Sequence, residues 1–72
     1  MGKNWINIFS SANLMEAEIT RQMLDENNIT AIILNKQDSS YNMFGLIDLY
    51  VKEENQTIAL ELINKQHNEQ NA

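Results

Sequence analysis

The chain has 72 residues, no cysteine and a formal net charge of −5, from 10 acidic and 5 basic side chains. A single domain of this size buries roughly 60% of its unfolded surface and draws about 3–5 kcal/mol of net stability from its core. The lack of thiols excludes a disulfide staple and a thiolate zinc site.

The bases Lys3, Arg21, Lys36, Lys52 and Lys65 are spread along the chain. No cluster of them could neutralise a run of phosphates or form a polybasic patch, so neither nucleic acid nor membrane is an expected partner. No apolar run approaches the ~20 residues of a membrane span. The start, MGKNWINIF, has one lysine and a broken apolar stretch, unlike a secretory signal. A cytoplasmic protein is expected. Small domains without staples often gain stability by association, so a homo-oligomer, most simply a dimer, is expected too.

Trp5–Ser10 is aromatic and β-branched and reads as a first strand. Asn13 and Glu16 fit a variant capping box, in which Asn13 accepts from an early amide and Glu16 reaches back to the cap. A helix should run from there to about Glu26, with Met15, Ile19 and Met23 at spacing four and Ala17 and Leu24 at spacing seven. Asn27-Asn28 should end it, because Asn tolerates the left-handed conformation. Ile29–Leu34, nearly all apolar, predicts a second strand buried on both faces or lying under a helix.

Leu46–Lys52 predicts a third strand, with Ile47, Leu49 and Val51 on one face and Asp48 and Tyr50 on the other. Glu53-Glu54 suit the start of a second helix, where the helix dipole favours negative charge. Ile58, Ala59, Leu62 and Ile63 form its apolar stripe. Residues 1–66 thus read as one domain, and 67–72 as a polar, disordered tail.

The order β-α-β-β-α has one simple solution: the third strand in the middle, antiparallel to both others, with both helices on one face. The predicted fold is an α+β, ferredoxin-like sandwich lacking its fourth strand. Its first strand has a bare edge without proline or charge. With Ile6 and Ile8 toward the helices, Trp5, Asn7 and Phe9 should face away and join Tyr50 in an aromatic patch, a candidate subunit or partner interface.

Between the second and third strands lies Asn35–Gly45, NKQDSSYNMFG, longer than a plain hairpin turn requires. Lys36, Asp38, Ser39, Ser40 and Tyr41 make it a candidate ligand or partner loop. A solvated turn, in which Asp38, Ser39 and Ser40 bond their own backbone, is the simpler account.

The ordered set of short strings resembles a known family: Trp5 opening a strand, Glu16-Ala17-Glu18 early in a helix, Asn28-Ile29-Thr30-Ala31, then Asn35 to Tyr41, Phe44-Gly45 and Leu49-Tyr50-Val51-Lys52 before an acidic helix start. Over roughly residues 4 to 65 the chain resembles the DUF2007 family of small bacterial proteins, described as signal-transducing, and in particular its Bacteroidetes-type members. The resemblance implies a ferredoxin-like fold similar to that of the PII regulators. It implies no activity, ligand or catalytic residue. Unlike PII proteins, this chain has neither a basic cluster nor a Gly-rich phosphate loop.

Catalytic chemistry finds little footing. Glu16 shares a helix face with Thr20, Met23 and Asn27. Buried there it could be a general base, although capping explains it more simply. His67, the single histidine, lies in the tail, so no Ser-His pair or metal site is expected. Asp38 and Asp48 flank one hairpin, a weak two-carboxylate signal. Met15 and Met23 read as core fillers. The reading is a non-enzymatic regulatory or protein-interaction module without cofactor or metal. The alternative is a small-molecule sensor with its ligand near residues 36–45 at a subunit interface.

Overall fold

In the computed structural model residues 4–38 and 46–70 are described, with the backbone alone for Asp38, Glu69 and Gln70. The elements run β1 (Trp5–Ser11), α1 (Leu14–Glu26), β2 (Ala31–Asn35), a 3-10 turn (Lys36–Asp38), β3 (Ile47–Lys52), a second 3-10 turn (Glu53–Asn55) and α2 (Gln56–Gln70). The sheet order is β1-β3-β2, with β3 antiparallel to both neighbours. This is the expected ferredoxin-like sandwich without its fourth strand.

Local chemistry sets the ends of α1. The Asn13 side chain accepts from the amides of Met15 at 2.9 Å and Glu16 at 3.4 Å. The reciprocal half of the expected capping box is supplied differently: the Asn13 amide donates to Ser11 Oγ at 3.0 Å, and Glu16 is exposed. At the other end Asn28 takes φ 65°. Its amide returns to Asp25 O at 3.0 Å, while that of Ile29 returns to Leu24 O at 2.9 Å. This double return closes the last turn and sets Ile29 against Leu24, where both join the core.

One cluster of Leu24, Ile29, Leu49, Val51, Ala59 and Ile63 holds the layers together. On α1 the buried line is Ala17, Thr20 and Leu24, not the methionine series. Met15 is 70% exposed and Ile19 47%, while Met23 is half-buried against the core. The small side chains at 17 and 20 are the ones that fit beneath the helix. Thr20 is fully buried, and its hydroxyl donates to Glu16 O at 2.9 Å and accepts from Gln66 Nε2 at 3.3 Å, which ties α1 to α2.

Two further expectations give way. The helix that begins at Gln56 continues to Gln70, so residues 67–70 are helical where a disordered tail was expected, and 71–72 lie outside the described residues. His67 packs its ring on Phe9, with centroids 5.8 Å apart, which anchors the added turn. On the same helix Ala59 and Ile63 are buried as predicted, but Ile58 is exposed.

Candidate functional site: the open sheet face

Strand alternation divides β3. Ile47, Leu49 and Val51 are fully buried under the helices, so Asp48, Tyr50 and Lys52 occupy the opposite face. Cross-strand partners share a face. Trp5 pairs with Lys52, Asn7 with Tyr50 and Ser10 with Asp48 on one side, while Ile32 pairs with Tyr50 and Leu34 with Asp48 on the other. The open face therefore carries Trp5, Asn7 and Ser10, then Lys52, Tyr50 and Asp48, then Ile32 and Leu34.

This corrects the expected aromatic patch. The β1–β3 register shifts between Asn7 and Phe9, leaving Ile8 as an extra residue. The bulge reverses the alternation, so Phe9 pairs with Leu49 and packs with Ile8 against the core. Trp5, Asn7 and Tyr50 remain on the open face. Ile32 and Leu34 join them at 38% and 41% exposure, because β2 is buried on its helix side only.

At the Asp48 end the face is closely bonded. Lys36 Nζ lies 2.7 Å from Asp48 Oδ2, and Ser10 Oγ donates to Asp48 Oδ1 at 2.7 Å. Asn7 Nδ2 donates to Ser10 Oγ at 3.5 Å. Asp48 is only 5% exposed. The hydrogen bond from Lys36 holds its carboxyl below the ordinary value, burial opposes the shift, and Ser10, the Lys36 charge and Asn7 reinforce it. Lys36 is raised in turn, chiefly by its hydrogen bond to Asp48. A carboxylate held ionised, with both oxygens engaged, is a weak proton acceptor. It fastens β1, β3 and the 3-10 turn to one another.

The turn is pinned on its backbone as well. The Lys36 amide donates to Leu46 O at 3.2 Å, extending the β2–β3 ladder one step. The Gln37 amide donates to Asn35 Oδ1 at 2.8 Å, and Gln37 Nε2 reaches Ala12 O at 2.8 Å. Of the loop residues singled out from sequence, Lys36 is thus part of this site. Asp38 closes the turn on its backbone, while Ser39, Ser40 and Tyr41 lie outside the described residues. Ser10, Ile32 and Leu34 were not singled out for this face, and Asp48 was placed on it without a partner. A lone acid on the open side of a central strand was the available signal for Asp48, since a residue so placed needs a partner.

Two shallow grooves between the helices, one lined by Asn13, Met15, Glu16, Ile19 and Gln66 and one by Met23, Asn27, Leu62, Lys65 and Gln66, lie on the other layer. Among the described residues no three His, Cys, Asp or Glu side chains gather as a metal site would need. None of the described helices is long and apolar enough to cross a membrane.

The fold and this face define a two-layer α+β domain whose helices cover one side of its sheet and, among the described residues, leave the other open. The chain belongs to the DUF2007 family, whose model, described as "Putative prokaryotic signal transducing protein", matches residues 5–66. No curated protein and no solved structure matches it. The family description fits a regulatory module.

Proposed function

We propose that this protein is a small cytoplasmic regulatory module that acts by binding a partner protein, without catalysis, through the open face of its sheet. The observation that carries the reading is the combination on that face of Trp5, Tyr50, Ile32 and Leu34 with an acid already neutralised by Lys36. Aromatic and aliphatic side chains beside a saturated ion pair offer contact area without a free reactive group, which suits recognition rather than chemistry. The PII-like kinship implied by the family resemblance points the same way, toward signalling through contacts.

Capture from extract of the source cells tests the reading, with the intact chain compared against Tyr50→Ser and Leu34→Ser. A specific protein retained by the intact chain and lost with both variants supports it. Retention by all three chains sinks it. A thermal-shift panel of metabolites and nucleotides tests the sensor alternative in parallel. A ligand that raises the melting temperature of the intact chain but not of Lys36→Met would replace the proposed reading with a sensor site near residues 36–45.

A further inference from the structure

The two edges of the sheet are not equivalent. The Lys36 amide donates to Leu46 O, so 36 and 46 are a hydrogen-bonded pair of the β2–β3 ladder. In an antiparallel ladder such pairs alternate. Leu34 with Asp48 and Ile32 with Tyr50 then bond inward, and Ala31, Ile33 and Asn35 turn their N–H and C=O groups away from β3. Among the described residues the order β1-β3-β2 leaves this row at the sheet edge. On β1 the Glu53 amide bonds Asn4 O, which by the same alternation turns Trp5 and Asn7 outward, but the bulge at Ile8 interrupts the row. Bulges are a common protection of edge strands. β2 has neither bulge, proline nor charge.

The outward row on β2 is symmetric about its middle residue. We infer that a second copy of this chain pairs antiparallel with β2 about a two-fold axis at Ile33, joining two three-stranded sheets into one. In that register Ile33 exchanges both backbone bonds with Ile33 of the second copy, and Ala31 exchanges both with Asn35 in each direction. All three outward residues of each strand are satisfied. Ile32 of each copy lies opposite Leu34 of the other on the open face, in the closer, non-hydrogen-bonded type of pair. Those are the side chains that stand 38% and 41% exposed in the single chain.

The self-complementary row admits a copy of the same chain, and charge at the contact does not oppose it. Each molecule carries −5, yet the paired strands carry no charge, and the adjoining Lys36 is held by Asp48. Like charges therefore do not meet at the axis, and salt should strengthen the dimer by screening the remainder. The contact is a single strand of five residues. It falls short of the ~1,200 Å² of a stable interface, so the dimer is weak and forms with concentration. This inference does not depend on the partner reading, because it uses the β2 edge.

Two measurements test it. Sedimentation velocity of the intact chain from about 10 μM to about 1 mM should show a monomer–dimer equilibrium that shifts toward dimer with added salt. The chain has no cysteine, so Ile32→Cys and Leu34→Cys each introduce a lone thiol. Both positions are exposed, and circular dichroism checks that each variant folds. After oxidation with diamide, a mixture of the two variants should yield several-fold more cross-linked dimer than either alone, because position 32 faces position 34 of the other copy whereas 32 and 32 lie on the diagonal. A strict monomer up to about 1 mM overturns the inference, and so do equal cross-linking yields in the three samples.

Discussion

Lys36 stands on the turn after β2, yet its Nζ meets Asp48 of the central strand at 2.7 Å, so an exposed ammonium covers a carboxylate that is only 5% exposed. The two ends of this contact respond differently to loss. Removing the lysine strands a buried charge, whereas removing the acid frees a solvated one.

The pair sets a pH window. Asp48 is held below its ordinary value, so its contribution is complete above the usual carboxylate range and lost as pH falls through the depressed value. Lys36 is raised, so its contribution is complete below the usual lysine range and lost as pH rises through the elevated value. Melting temperature should be level in this respect from about pH 5 to about pH 10. In Lys36→Met the unpaired Asp48 should titrate upward, and the penalty relative to the intact chain should be larger at pH 7 than at pH 4. Thermal denaturation across pH reads both, and an equal penalty at the two pH values would contradict the pairing. Lys36→Met combined with Asp48→Leu should be less damaging than Lys36→Met alone, because no stranded charge remains.

Thr20 predicts a modest and specific loss. Its buried hydroxyl links Glu16 O and Gln66 Nε2. Thr20→Val keeps the shape and removes both bonds, at a cost of about 1 kcal/mol, roughly 4–8 °C in a domain of this size. Thr20→Ser should keep the bonds and lose only the methyl contact. Urea denaturation that ranks Val above Ser would argue against the link between the helices.

Asn28 occupies the left-handed region at φ 65°. Asn28→Gly should be neutral or slightly stabilising. Asn28→Val should cost about 1–2 kcal/mol, because a β-branched side chain crowds the backbone there. If chemical denaturation shows the two substitutions to be equal, the turn after α1 does not have this geometry.

His67→Ala removes the ring that packs on Phe9. The expected cost is about 0.5–1 kcal/mol. Amide exchange should quicken in the last turns of α2 and stay unchanged in α1. Protection that does not change beyond residue 64 would mean that the ring contact does not anchor the end of the helix.

The element order and the central position of β3 were legible because the apolar periods are distinct: 2 in residues 47–52 and a helical spacing in 14–26. The Asn caps were legible from side-chain chemistry. The bulge was not, because Ile8 and Phe9 are adjacent apolar residues and either could take the core side. The exposed side of β2 was hidden by Ile32 and Leu34, which carry no polar mark of an outer face. The end of α2 was misjudged because Asn64 to Gln70 is polar, and a single contact between His67 and Phe9 leaves no periodic trace. On α1 the eye is drawn to Met15, Ile19 and Met23, whereas the packing is done by Ala17 and Thr20. Lys36 was singled out as a loop cation, but its partner could be found only by placing the turn over the sheet.

The central strand of the sheet is also the last to be synthesised. β1 and β2 never touch each other except through β3. A nascent chain that has emerged only as far as Asn35 therefore has a finished α1 sequence and two candidate strands but no strand pair. The apolar residues Ile32 to Leu34 wait unpaired while the next dozen residues are made. The arrival of Ile47–Lys52 then completes both ladders from one segment, so neither strand pair can form before that segment is available.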